Sequence, residues 1–291
     1  MVRKRIYSTR ELAQLWNLSE STIKRWTDTG KLQCHRTPGG HRRFQLRHIQ
    51  DFQARHRFEG TGLLTSTDWE APRLETFINQ RNWSRVRELI LYLASENQCA
   101  SIKDLLERLY IRGLSVADLY DEVLTPIFVR SHGNHSSNSM RLGQARLVEK
   151  NLEEALYYFF PGVVRRRPLG KTGLCAAPAS YCSHLVNGIS RALNEEGWDA
   201  LNLGSKVPFE AMAEIVEKQP VNMACVLARK GLSANLKGRF RVLNEACDRY
   251  RIPVLLLGPG FSTPKSRKDL VYDEYIPSFR DFSDYIQRAA Y

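Results

Sequence analysis

The chain has 291 residues, 43% of them hydrophobic, so it is long enough to bury two or three separate cores. No apolar run approaches the roughly 20 residues needed to cross a bilayer, which excludes a membrane-spanning segment. The net charge is +12, and residues 1–60 alone hold 13 Lys and Arg against 5 Asp and Glu. This excess predicts a polyanionic partner for the N-terminal segment. The six cysteines form no Cys-x-x-Cys pair, so we expect a reduced, cytoplasmic protein without a membrane partner.

The first predicted elements are two short helices joined by a brief turn. Ser8-Thr9-Arg10-Glu11 is a capping-box pattern followed by apolar residues at helical spacing, so a first helix begins there. Ser19 can cap a second helix over Glu20–Asp28, which Gly30 ends. The outer face of this second helix carries Ser21, Thr22, Lys24 and Arg25. Such a pair is a helix-turn-helix arrangement, in which that face enters the major groove of DNA.

The next stretch predicts a tight hairpin with cations around its tip. Pro38 fixes φ at the entry to the turn, and Gly39 and Gly40 tolerate the positive φ that a short hairpin needs. Leu32 and Phe44 supply apolar anchors on the two sides. Donors for a phosphate backbone or a minor groove lie on Arg36, His41, Arg42 and Arg43. Taken alone, the stretch also fits a solvated basic turn; the helices before it favour a DNA-facing wing.

A third helix with Ile49 and Phe52 inward is expected to pack under the first two. The N-terminal residues then resemble the winged-helix DNA-binding domain of MerR and excisionase-like proteins. The resemblance covers about the first 55 residues and rests on three runs: Ile6–Ala13, Ser21–Trp26 and Thr37–Phe44. It implies binding to double-stranded DNA, in transcription regulation or, alternatively, as an excisionase-like recombination factor.

The rest of the chain predicts a linker and a helical bundle after the winged-helix domain of residues 1–56. The linker is expected at residues 57–72, because residues 59–70 are rich in Gly, Ser and Thr and show no sustained period. In residues 73–165 apolar positions recur at helical spacing in four or five segments, which predicts the bundle. The run Arg165-Arg166-Arg167 is either a charged linker or a contact to DNA phosphate.

Residues 170–291 alternate short apolar runs with amphipathic helices, which predicts a parallel sheet covered on both faces. Strands are expected at Leu174–Ala177, Ala200–Leu203, Met223–Leu227, Val254–Leu257 and around Val271–Tyr275. Helices are expected near His184–Glu196, Phe209–Lys218, Leu236–Tyr250 and Phe279–Ala289. The fold class is therefore multidomain α/β: a winged helix-turn-helix, a helical bundle and a flavodoxin- or Rossmann-like domain. In such sheets ligands bind beyond the carboxyl ends of the strands.

This order of domains resembles the light- and cobalamin-responsive regulators of the CarH/LitR type. The resemblance in the bundle rests on Arg112–Ser115, Asp118–Tyr120 and Val123–Pro126. It implies an Asp-x-His-x-x-Gly motif whose His ligates cobalt, and the matching stretch here runs from Cys182 to Asn187. Only His184 agrees, because Cys182 replaces the Asp that would orient the imidazole and Asn187 replaces the Gly, although Gly188 is adjacent.

The bundle also lacks the residues that the resemblance implies above the cofactor. No Trp lies in Ser131–Gln144, and Gly143-Gln144 stands at the position of a Glu-His pair. We therefore expect cobalamin to bind weakly or not at all. His184 is then either a cobalt ligand in a divergent site or an ordinary residue at a helix start, while Gly258 and Gly260 could clear space for a ligand.

Motifs for metal binding or catalysis are missing elsewhere. His132 and His135 have no carboxylate or Cys nearby, which favours a solvated loop over a metal site. The first strand of the sheet is not followed by Gly-x-Gly-x-x-Gly, and the chain contains neither a Ser elbow nor His-Glu-x-x-His. We therefore expect no enzyme activity.

The sequence as a whole predicts a DNA-binding transcriptional regulator with a C-terminal sensor and oligomerisation module. One small winged helix buries little DNA surface, so we expect a homo-oligomer. A regulatory partner protein or a ligand other than cobalamin is the expected signal. The alternatives are a cobalamin-dependent photoreceptor regulator, an excisionase-like recombination factor and a corrinoid-dependent enzyme component.

Overall fold

A computed structural model of the chain describes residues 6–16, 18–45, 48, 49, 51, 52, 55, 76–131, 140–179 and 183–289. Two compact units are present: unit 1 holds Met1–Ser115 and Glu122–Val164, and unit 2 holds Val116–Asp121 and Arg165–Tyr291. The domain limits expected at residues 56, 72 and 165 stay predictions. Cys182, the linker and the loop that carries His132 and His135 lie outside the described residues.

The N-terminal part of unit 1 combines short helices with a three-stranded antiparallel sheet in the order β1-β3-β2. Its elements are β1 (Ile6–Ser8), α1 (Thr9–Leu15), α2 (Glu20–Asp28), β2 (His35–Arg36) and β3 (Arg42–Gln45). The predicted capping box is confirmed, because the Ser8 amide donates to Glu11 Oε2 at 2.7 Å and the Glu11 amide donates to Ser8 Oγ at 3.2 Å. Ser19 caps α2 by accepting a hydrogen bond from the Thr22 amide. Strand β1 was not predicted.

An aromatic cluster closes the core of this part. The rings of Trp16, Trp26 and Phe52 lie with centroids between 4.8 and 6.1 Å apart. Residues 48, 49, 51, 52 and 55 are helical, in agreement with the predicted third helix. Leu32 and Phe44 are buried, so both expected anchors of the hairpin are confirmed.

The remainder of unit 1 is a helical bundle, as predicted. Residues 76–79 are helical, and the longer helices are α3 (Trp83–Ser95), α4 (Cys99–Ile111), α5 (Val116–Asp118, the π-helical Leu119–Leu124, and Thr125–Ser131) and α6 (Leu142–Phe159). Buried Asn151 of α6 ties two neighbours together: its Nδ2 donates to the Ala94 carbonyl at 2.7 Å, and Cys99 Sγ donates to its Oδ1 at 3.0 Å. A buried amide bonded on both sides fixes how these helices align. The chain passes between the units three times, and the crossing between Asp121 and Glu122 falls inside the π-helical part of α5, so the first six residues of α5 belong to unit 2.

Unit 2 contains a five-stranded parallel sheet in the order β5-β4-β6-β7-β8, the flavodoxin-like order. The strands are β4 (Thr172–Ala177), β5 (Asp199–Ser205), β6 (Met223–Leu227), β7 (Val254–Leu257) and β8 (Glu274–Ile276). The helices are α7 (Ser183–Glu195), α8 (Phe209–Lys218), α9 (Ala234–Tyr250), α10 (Pro264–Arg267) and α11 (Phe279–Arg288). The predicted fold class is confirmed. The last strand is Glu274–Ile276 rather than Val271–Tyr275, and Val271 is 74% exposed.

Residues Val116–Asp121 belong to unit 2 because they pack on the start of α11. The ring of Tyr120 stacks on Phe279 with centroids 4.4 Å apart. The carboxylate of Asp121 accepts hydrogen bonds from the amides of Phe279 and Arg280 at 2.9 and 3.0 Å, and so caps this helix. Burial raises the pKa of Asp121, although these two hydrogen bonds lower it.

On α7, a Cβ at Gly188 would lie 2.6 Å from both rings, so this position has no room for a side chain.

The change Gly188→Ala is expected to lower the free energy of unfolding by about 1–3 kcal/mol, because the stacked rings must move. The matched control is Gly238→Ala in α9, where a Cβ meets nothing within 4 Å. There the same change is expected to add up to about 1 kcal/mol by removing the backbone freedom of glycine. Urea unfolding followed by circular dichroism measures both. Shifts of the same sign and size would contradict the packing of Tyr120 and Phe279 on α7.

Candidate nucleic-acid interface

Helix α2 exposes most of the polar residues predicted to enter the major groove. Ser21, Lys24 and Arg25 are exposed, and Thr22 is half-buried. Ser19 Oγ lies 2.7 Å from Ser21 Oγ and 2.9 Å from the Thr22 hydroxyl, so both residues also belong to the cap of the helix. Lys24 Nζ is 3.9 Å from Glu20, an exposed pair that contributes little to stability. In the described part of the chain, Arg25 makes no ion pair.

The wing is the hairpin formed by β2 and β3, in which Arg36 lies directly opposite Arg42. Its turn is closed by hydrogen bonds from the Thr37 amide to the His41 carbonyl at 2.9 Å and from the Gly40 amide to the Thr37 carbonyl at 2.8 Å. Gly40 has a φ of 78°, as expected for a hairpin glycine. The expectation for Gly39 was wrong, because its φ lies outside the left-handed region and a single such residue suffices for this turn.

One carboxylate holds two of the predicted DNA-binding arginines. Arg42 Nη2 lies 2.5 Å and Arg36 Nη2 lies 3.0 Å from the same oxygen, Oδ1 of Asp28, the last residue of α2. The hydrogen bond from Arg42 and the charges of Arg42 and Arg36 hold the pKa of Asp28 below its ordinary value. Sequence reasoning missed Asp28. The available signal was an acidic residue at the last position of a helix that is followed by a basic hairpin.

Arg43 differs from its neighbour Arg42. Successive side chains of a strand point to opposite faces, and Arg42 points toward α2, so Arg43 lies on the other face of the sheet. Its side chain is half-buried and makes no ion pair within the described ranges. His41 is exposed beside the tip of the wing. Among the residues predicted to bind DNA, Lys24, Arg25 and Arg43 are thus the cations that Asp28 does not engage, while Arg36 and Arg42 pair with it.

The residues considered for a cofactor lie at the carboxyl ends of the strands in unit 2, where they make contacts within the protein. His184, the second residue of α7, is 7% exposed. Asn187 Oδ1 accepts a hydrogen bond from Asn202 Nδ2 at 2.8 Å, which joins α7 to β5.

The two glycines after β7 pack on the loop that follows β6. A Cβ at Gly258, whose φ is 92°, would lie 2.7 Å from the Ala228 carbonyl, and one at Gly260 would lie 2.5 Å from the Lys230 carbonyl. The Gly260 amide also donates to the Ala228 carbonyl at 2.8 Å. These glycines therefore let two backbone segments approach each other.

The arginine run before the sheet is tied to the turn between α7 and β5. Arg165 pairs with Asp199 at 2.8 Å, and Arg166 pairs with Glu196. Over the described ranges, no group of three His, Cys, Asp or Glu side chains is placed to hold a metal ion. Within the same ranges, no helix has the length and apolar character required to cross a membrane.

Residues 6–57 match the family model described as a helix-turn-helix domain. No curated protein sequence matches the chain. Solved structures that are similar to the chain include the following three. The monomethylamine corrinoid protein of Methanosarcina barkeri is 13% identical with a TM-score of 0.54, over 71% of this chain and 99% of that one.

A cobalamin-binding protein from Desulfitobacterium hafniense DCB-2 is 13% identical with a TM-score of 0.35, over 69% of this chain and 96% of that one. The methanol:cobalamin methyltransferase complex MtaBC from Methanosarcina barkeri is 15% identical with a TM-score of 0.36, over 94% of this chain and 93% of that one. The last two TM-scores are too low to carry an argument. The first likeness concerns the fold alone, and the chain as a whole joins an N-terminal helix-turn-helix domain to a fold shared with a corrinoid protein.

Proposed function

We propose that this protein is a sequence-specific DNA-binding transcriptional regulator of the MerR-like type, without catalytic activity. The observation that carries the proposal is the helix-turn-helix match over residues 6–57, on which Lys24 and Arg25 are exposed along α2. In this arrangement α2 enters the major groove, where Arg25 can donate two hydrogen bonds to a guanine edge. His41 and Arg43 of the wing are proposed to contact phosphates, which position the domain without reading sequence.

The wing is tested by the salt dependence of binding. Arg43→Gln is expected to weaken binding to all duplexes and to reduce the slope of log K against log salt by about 0.9, as for one lost phosphate contact. The full chain is titrated by fluorescence anisotropy against a duplex selected from a random pool and against a random duplex. Arg241→Gln is the control, because this α9 side chain is 82% exposed and far along the chain from the domain. An unchanged slope for Arg43→Gln would remove that residue from the interface.

We further propose that the C-terminal part receives the signal from a partner protein or from a ligand other than cobalamin. The surroundings of the residues expected at a cobalt site support this proposal. The His184 side chain is buried and is not exposed to a ligand. The space beside Gly188 is filled by the rings of Tyr120 and Phe279. The space beside Gly258 and Gly260 is filled by backbone atoms of Ala228 and Lys230.

A cobalamin-dependent photoreceptor regulator, or a corrinoid-dependent enzyme component, is the second candidate. The observation that favours it is the fold likeness to the monomethylamine corrinoid protein, at a TM-score of 0.54. The two candidates differ in whether cobalamin binds and whether it changes DNA affinity.

A titration with adenosylcobalamin, followed by absorbance and by DNA gel shift in the dark and after light, separates them. We expect no saturable absorbance change and no effect on the gel shift, because His184 is not exposed to a cofactor. His184→Ala is measured alongside and is expected to behave like the wild type. Tight binding that disappears in His184→Ala and alters DNA affinity would establish the photoreceptor mechanism instead.

We propose that the regulator acts as a homo-oligomer, because a single winged helix buries too little DNA surface for specific binding. Sedimentation velocity at micromolar concentration is expected to show a dimer or larger species. A monomer both with and without the selected duplex would contradict self-association.

A further inference from the structure

We propose that Asp28 is a specificity-determining residue, which withholds Arg36 and Arg42 from non-specific phosphate contact by binding both through one carboxylate oxygen. The inference rests on the proposed DNA-binding function and concerns the part of the interface that decides between specific and random DNA. Asp28 does this by positioning two other side chains, so its effect differs from that of a direct base contact.

The placement of the two arginines explains why an acid is needed there. Arg36 and Arg42 are cross-strand partners on the wing, and like charges directly opposite each other repel. With Asp28 Oδ1 at 2.5 Å from Arg42 and 3.0 Å from Arg36, the three groups carry a net charge of +1. The same contacts join the last residue of α2 to both strands of the hairpin. The distance between the groove-reading helix and the wing is thereby fixed.

The two arginines are not held equally. The Arg42 side chain is 16% exposed, and its Nε is buried without a hydrogen-bond partner in the described part of the chain. Arg36 is 56% exposed and Asp28 is 52% exposed, so water and salt weaken their pair. Arg36 is therefore the side chain that gains access to a phosphate when the carboxylate is removed, whereas Arg42 stays packed between the wing and α2.

This arrangement predicts opposite effects on two kinds of DNA. Non-specific binding is almost entirely electrostatic, so removing the carboxylate adds a contact from Arg36 to it and steepens its salt dependence. Specific binding also requires that α2 and the wing fit the duplex at the same time. Losing the contact between Asp28 and the two arginines therefore lowers the affinity for the selected duplex. The ratio of specific to non-specific affinity is the quantity that Asp28 controls.

The test uses the full chain and compares Asp28→Asn with the wild type on the selected and the random duplex, across a salt series. We expect about one unit more slope on random DNA, at least a threefold gain in affinity for it near 0.1 M salt, and about a tenfold loss in the specificity ratio. Asp51→Asn is the control, because it removes one negative charge from the same domain. It is expected to leave all three quantities nearly unchanged. Adding Arg36→Gln to Asp28→Asn is expected to restore the wild-type slope.

Two results would overturn the inference. If Asp28→Asn weakens binding to both duplexes in proportion and unfolds at lower urea concentration, Asp28 only supports the fold. If Asp51→Asn has the same effect as Asp28→Asn, the change is a general consequence of charge. A wild-type chain that binds neither duplex would instead refute the proposed function itself, and the inference with it.

Discussion

One shared carboxylate joins α2 to both strands of the wing on the surface proposed to face DNA. The wing has two residues in β2 and four in β3. Strand β3 also pairs with β1, so β2, with only two paired residues, is the short edge strand of the sheet. Burial of Phe44 fixes one strand on the core. Asp28 then fixes the cationic end of the hairpin to the end of α2. An acid inside a basic interface weakens attraction to any polyanion, so its presence makes physical sense where geometry matters more than total charge.

In unit 2, three glycines make room for other atoms of the protein rather than for a ligand. The space beside Gly188 admits the stacked rings of Tyr120 and Phe279, and the space at Gly258 admits the carbonyl of Ala228. Each glycine is explained by a contact within the unit, although the strand order is one in which ligands bind beyond the carboxyl ends. Fold and cofactor are therefore separate questions here, because the sheet keeps its order whether or not the residues above it hold a corrin.

The sequence predicted best what is decided by neighbouring residues. The caps at Ser8 and Ser19 and the fully apolar strands β6 and β7 needed no distant information. Strand β1 was missed because its three residues become a strand only by pairing with β3, far along the chain. The last strand was misplaced because Val271 is apolar but exposed, while β8 begins at an exposed Glu. The role of Asp28 was out of reach, because its partners are brought to it only after the hairpin has formed.

Control of DNA binding from the C-terminal part requires that some ligand or partner prefer one arrangement of the chain over another. The covalent route is short: α5 begins with Val116–Asp121 in unit 2 and continues in unit 1 from Glu122. The change of unit occurs within a π-helical segment, a local widening that is frequent at functional sites and less regular than an α-helix. Because Asp121 caps α11 and Tyr120 stacks on Phe279, an event that moves the start of α11 acts on the residues that directly precede Glu122 in the chain. A partner that binds unit 2 therefore needs no cofactor to reach one of the three points at which the chain passes between the units.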